Sequence, residues 1–175
     1  AVLLVMGTLA SSLSAARAEK KSSLRIERVN ERPTQLADTL AGAMDSKAEA
    51  KARAKKRKAQ AKKRAKAKQP ADTSRLFVLD FDGDIRASAV EQLRESINGL
   101  VQVAGEHDEV LLRLESGGGL VHSYGLAASQ LRRLRGRGLK LTVAVDRVAA
   151  SGGYMMACIG DRILCAPFAV IGSIG

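Results

Sequence analysis

The chain has 175 residues, enough for one ordinary domain, and a formal charge of +11 that is unevenly spread. Residues 1–46 hold six basic and five acidic side chains, residues 47–68 twelve and one, and residues 69–175 eleven and twelve. The net charge therefore belongs to one short segment, and the 107 residues that follow it are nearly neutral and able to build a core.

The first 21 residues read AVLLVMGTLASSLSAARAEKK, ten apolar or small side chains followed by serines and a basic group. They predict the remnant of an N-terminal transmembrane helix over residues 1–15, although the run falls short of the roughly 20 residues that cross a bilayer. A secretory signal carries its positive charge ahead of the apolar run, and here the order is reversed. A short amphipathic or irregular end is the plain alternative. Residues 16–46 are read as a membrane-proximal segment, in which Leu24, Ile26 and Val29, then Leu36, Leu40 and Met44, recur at helical spacing. Pro33 interrupts them and predicts two short elements instead of one helix. Residues 47–74 form a lysine- and alanine-rich linker. It can be helical, but it has no large apolar side chain to pack, and like charges three and four positions apart oppose the helix. A solvated tether, contact with anionic lipid headgroups and non-specific nucleic-acid binding all suit such a charge run. The segment lacks aromatic residues for base stacking and any base-reading module, so no nucleic-acid partner is expected.

From Arg75 the rhythm changes to that of an α/β domain. RLFVLDF is a β-favouring run closed by DGD, and residues 88–103 place Val90, Leu93, Ile97, Leu100 and Val103 on one helical face. Ser88 is the expected N-cap of that helix, with Glu91 as its reciprocal partner. EVLLRLE is a second strand, residues 120–135 a second helix, LKLTVAV a third strand, residues 151–159 a third helix and RILCA a fourth strand. Strands separated by helices imply a mainly parallel sheet with right-handed crossovers.

Ligands and catalytic groups in such sheets gather beyond the carboxyl ends of the strands. Two glycine-rich turns fall there: ESGGG at residues 115–119 and ASGG at residues 150–153. Either can be a plain flexible turn. A Walker loop is excluded by the missing Lys-Ser/Thr pair, and GxGxxG is not matched. What the triplet Gly117, Gly118 and Gly119 offers is backbone N–H groups at a helix mouth, where developing negative charge is stabilised. Ser151 can be a helix cap or an exposed nucleophile whose neighbour Gly152 turns its amide to an oxyanion; the two bare positions that follow it favour the nucleophile. Its base is not evident. His122, just past the triplet, is better placed than His107, yet no carboxylate is set to orient it, and Asp146 is five residues before Ser151. A lysine of lowered pKa can serve instead, but Lys140 begins a strand at the wrong end, and no lysine follows Ser151.

RLFVLDFDGDI, LLRLESGGGLVHSYGLAASQL, TVAVDRVAASGGYMMA and APFAVIGSIG together resemble the signal peptide peptidase A family of serine–lysine proteases, peptidase family S49. Within it they are most similar to the inner-membrane branch of Gram-negative bacteria. The resemblance implies a crotonase-like or Clp-protease-like α/β fold. It implies Ser151 as nucleophile, Gly152 and the turn at Gly117 and Gly118 as oxyanion and substrate-binding groups, and a lysine base in an acyl-enzyme mechanism. It further implies peptide or membrane-protein substrates, a homo-oligomeric ring, no cofactor and no metal. A single-pass location in the inner membrane follows, with the catalytic domain periplasmic by resemblance; the basic linker points instead to the cytoplasmic side. Gly119, Tyr154 and His122 are possible cleft residues.

Two departures accompany the resemblance. The family's turn usually reads Ser-Pro-Gly-Gly, and here Gly117 stands in place of the proline. The family's lysine lies several dozen residues beyond the serine, so residues 75–175 are expected to be the N-terminal part of an incomplete protease domain, inactive alone. Phe168, Val170, Ile171 and Ile174 are then apolar residues lacking partners. A non-catalytic peptide-binding or scaffold relative is the alternative function, and acyl-CoA chemistry on the same fold is a third that makes no use of Ser151. Cys158 and Cys165 have no metal-ligand spacing and are expected to be buried free thiols. Leu131 and Leu134 should be buried, and Arg132, Arg133, Arg135 and Arg137 should form a solvated or subunit-facing surface.

Overall fold

A computed structural model describes residues 25–66 and 74–173. Two helices come first, α1 (Glu31–Met44) and α2 (Lys47–Lys66). The α/β part then runs β1 (Leu76–Gly83), α3 (Val90–Val103), β2 (Glu109–Ser116), α4 (Val121–Gly136), β3 (Lys140–Val145), β4 (Val148–Ala150), α5 (Gly152–Ala157), β5 (Arg162–Cys165) and β6 (Val170–Gly172). All six strands are parallel, in the order β5-β3-β2-β4-β6 with β1 along β2.

The sheet curls, and the curl builds the site. Residues Glu109 to Arg113 of β2 pair with β3, but Ser116 at its end pairs with Ala149 of β4. The strand that continues from β3 thus crosses to the end of β2. This brings the turn after β4, which holds Ser151, against the turn after β2, which holds the glycine triplet.

One face of the sheet carries the core. Val110, Leu112 and Leu114 of β2, Leu141, Val143 and Val145 of β3, and Phe81 of β1 are buried against Leu93, Ile97 and Leu100 of α3 and Leu131 and Leu134 of α4. Each fully buried side chain of this kind contributes roughly 1.5–3 kcal/mol. The other face is mixed: Arg113 forms a two-pronged pair with Asp80 (2.5 and 2.7 Å), Arg147 pairs with Glu115 and Lys140 with Glu109, beside the apolar Leu76, Val78, Leu111 and Leu164. A parallel sheet is ordinarily covered on both faces.

Several expectations are corrected. Pro33 does not divide its segment. It sits in the first turn of α1, where its missing N–H has no intrahelical acceptor to lose. Ser88 is not a cap: its hydroxyl donates to Asp84 (2.7 Å), α3 begins after Ala89 without a side-chain cap, and Glu91 pairs with Arg94. The capping box lies instead at α2, where the Ser46 N–H and hydroxyl donate to Glu49 (2.9 and 2.7 Å), lowering the Glu49 carboxyl pKa. Cys158 and Cys165 are free, as expected, but exposed rather than buried. Phe168 and Val170 are 97% and 62% exposed, so their apolar surface is uncovered as expected. Residues 1–15 and Ile174 lie outside the described residues. No helix among those described is long and apolar enough to cross a membrane.

A polar clip closes the edge of the domain. The buried Asp108 carboxylate accepts hydrogen bonds from the Arg75 guanidinium (2.6 Å), the Arg75 N–H (2.7 Å) and the Gly105 N–H (2.7 Å), and the first of these is the main reason its pKa lies far below the usual range. Because the folded-state pKa is depressed, this stabilisation is complete above the unfolded value of about 4 and is lost as pH falls below it. Replacing Asp108 by alanine is expected to cost about 2 kcal/mol at neutral pH by orphaning these donors. The difference from the unsubstituted protein should shrink below pH 4, which denaturant titrations at pH 7 and pH 3.5 would reveal.

Candidate active site

Ser151 occupies the one-residue junction between β4 and α5, with φ 50° and ψ −118°. A residue with a Cβ is strained there by about 1–3 kcal/mol, and such strain gathers at functional sites. The conformation is fixed from both sides. The Ser151 N–H donates to the Gly172 carbonyl at the end of β6 (2.8 Å), and the Ser151 carbonyl accepts from Met155 N–H (2.9 Å). Its side chain makes no cap bond to α5, and the residue is exposed. A sharp strand-to-helix turn with an outward hydroxyl is the local geometry of a serine nucleophile, here without the G-x-S-x-G sequence.

The bare positions after Ser151 have a packing reason as well. A Cβ on Gly152 would overlap the Tyr124 ring, and one on Gly153 would stand 2.7 Å from the Ser116 carbonyl oxygen. Both glycines let α5 lie directly on the end of β2 and on α4. Gly152 N–H, the first of the helix, has no acceptor among the described residues.

The glycine triplet meets the same place. Gly118 has φ 90°, and a Cβ there would fall 2.7 Å from the Ser151 Cβ and 3.0 Å from the Gly152 nitrogen. Gly119 is pressed against the Ile85 backbone, and the next amide, Leu120 N–H, donates to the Ile85 carbonyl (2.9 Å). Gly117 is open: an added Cβ would meet nothing within 4 Å. Alanine at Gly117 is thus expected to be tolerated, with a gain of about 0.5 kcal/mol through the unfolded chain. Alanine at Gly118 should strain the turn and push on Ser151, so paired melts of the two variants should move in opposite directions.

Sequence reasoning missed the brace beneath both turns. Tyr124 is fully buried; its hydroxyl donates to the Asp84 carbonyl (2.7 Å) and accepts from the Ser116 hydroxyl (2.5 Å), while Ser116 Oγ accepts from Gly118 N–H (3.0 Å). Burial pushes the Tyr124 phenol pKa up, which keeps it a donor. One ring therefore underlies Gly152 while its hydroxyl, through Ser116, anchors Gly118. The signal was a tyrosine eight residues after a serine in a chain that is 3% aromatic.

The other candidates are placed as follows. His122 is exposed at the start of α4, and no hydrogen bond joins it or any other side chain to Ser151 among the described residues. Asp146 lines a shallow groove with Asp80, Asp82, Arg113 and Glu115. Tyr154 is half-buried, and the neighbouring Cys158 thiol raises its phenol pKa. Lys140 pairs with Glu109 at the far end of the sheet. Among the described residues no group of His, Cys, Asp and Glu side chains is placed to hold a metal ion.

A family model described as peptidase family S49 N-terminal matches residues 1–131, and one described as peptidase family S49 matches residues 133–175. The chain belongs to peptidase family S49 and so to a serine-peptidase lineage. It is closely related to SohB-type proteases. Probable protease SohB of Buchnera aphidicola subsp. Acyrthosiphon pisum is 65% identical over 101 residues, 58% of this chain and 30% of that protein. Probable protease SohB of Haemophilus influenzae is 68% identical over 100 residues, 57% of this chain and 28% of that protein. The chain thus matches under a third of the length of these relatives.

Proposed function

We propose that Ser151 is the nucleophile of a membrane-tethered serine endopeptidase acting on membrane or unfolded peptides. The observation that carries this is the strained Ser151 backbone, which holds an uncapped, exposed hydroxyl beside the uncommitted Gly152 amide. In this mechanism the Ser151 oxygen attacks the scissile carbonyl as its proton passes to an amine base, by family resemblance a lysine outside residues 74–173. The carbonyl oxygen becomes an oxyanion held by Gly152 N–H and an amide of the glycine triplet. Gly118 N–H is engaged with Ser116 in this arrangement, so it serves only on exchanging that acceptor. Collapse returns the proton to the departing amine and leaves an acyl-serine, which water hydrolyses by the same route.

The site roles of Gly117, Gly118, Gly119 and Tyr154, the crotonase-like or Clp-like identity of the fold, the ring assembly and the membrane segment at residues 1–15 belong to the same reading. Residues 1–175 alone are expected not to turn over. The absence of a base bonded to Ser151 among the described residues favours one second reading, a peptide-binding relative without catalysis. The discriminating experiment follows cleavage of an unfolded protein by a SohB-length form containing this chain. Replacing His122 by alanine should leave its rate within about threefold, since a lysine base needs no imidazole. A loss of 100-fold or more would show His122 to be the base, and no cleavage by the unsubstituted protein would support the binding relative.

A further inference from the structure

We propose that helix α2 is an electrostatic docking surface for anionic lipid headgroups, an inference independent of the peptidase reading. Its cations are sorted by side. Lys47, Lys51, Lys55, Lys58, Lys62 and Lys66 recur at intervals of four or three, which places them in one sector roughly 100° wide on an α-helix. Arg53, Arg57 and Arg64 fall on nearly the opposite side, in a sector about 40° wide. Ala50, Ala54 and Ala61 fill one boundary between the two sectors, and Ala52, Ala59, Glu49, Gln60, Lys56 and Lys63 the other.

The two sets have different occupations. Arg53 pairs with Asp45 (3.1 Å) and Arg57 with Asp38, which ties α2 to α1. The lysines from Lys47 to Lys62 are exposed, and none has an ion-pair partner among the described residues. One face of the helix is consumed by the hairpin, and the other is a straight row of cations. Its 20 residues give a row about 30 Å long.

Charge complementarity selects the occupant. A straight row of flexible point charges suits a flat anionic surface, where each lysine contributes within a Debye length. Nucleic acid is disfavoured because Arg53 and Arg57, whose forked donors grip phosphate, are already paired with Asp45 and Asp38, and no aromatic residue interleaves the lysines. The apolar side chains of α1, Leu36, Leu40 and Met44, are exposed on the face away from Asp38 and Asp45, so they do not continue the lysine row.

The test uses residues 1–175 with sedimentation of large vesicles at 0.1 M salt. Vesicles of phosphatidylcholine containing phosphatidylglycerol should bind, and pure phosphatidylcholine should bind at least tenfold less. Two double variants remove the same charge one residue apart. K55Q/K62Q lies in the row and should lower the partition coefficient about tenfold, whereas K56Q/K63Q lies outside it and should lower it less than threefold. Equal losses from the two pairs, equal binding to neutral and anionic vesicles, or tighter binding to a DNA duplex at the same salt would each overturn the proposal.

Discussion

Replacing Ser151 by glycine is expected to abolish peptide cleavage while making the domain more stable. The catalytic loss should be about 10⁴-fold or more, the scale on which removal of a serine nucleophile acts. The stability gain should be about 1 kcal/mol, because glycine adopts φ 50° and ψ −118° without the strain that serine bears there. Alanine should be equally inactive but not more stable, since it keeps the Cβ. A serine that served as a helix cap would give the reverse, with a loss of about 1 kcal/mol on replacement by alanine. Thermal melts of the two variants beside their cleavage rates separate the accounts.

Alanine at Gly152 is the second large effect. The added methyl would overlap the Tyr124 ring, and Tyr124 has no room to retreat because it is fully buried and its hydroxyl is held by Asp84 and Ser116. The helix must therefore shift and carry Gly152 N–H with it. Overpacking of this kind costs about 1–3 kcal/mol, and a displacement near 1 Å in an active site lowers rate by about 100-fold. Shortening the obstacle tests the cause: adding Tyr124→Leu to Gly152→Ala should recover less activity than stability, because it removes the clash and the anchor of Gly118 together. If Gly152→Ala alone cleaves normally, the close packing described here does not set the oxyanion geometry.

Much of this was legible in the sequence because it depends on local pattern. The apolar face of Leu93, Ile97 and Leu100, the buried runs of β2 and β3, and the two glycine turns all follow from spacing and composition. Strand β4 was not legible: three residues after a turn carry no periodicity, and their role comes from pairing with Ser116 and with β6. The Tyr124–Ser116 brace escaped for the same reason, since it forms only when the sheet curls. Ser88 misled because Asp84, four residues earlier, competes for its hydroxyl, whereas the same Ser-x-x-Glu signature at Ser46 had no such competitor. The exposed thiols have a similar origin, because Cys158 and Cys165 end α5 and β5 rather than sit within them.

The most direct measurement is covalent. A SohB-length form containing this chain is treated with a fluorophosphonate, and the adduct is located by peptide mass spectrometry. The account predicts one stoichiometric adduct on Ser151, formed at a rate that falls at least 100-fold when Gly152 is alanine. A protein that cleaves peptides yet carries its adduct on another residue, or none at all, would contradict it.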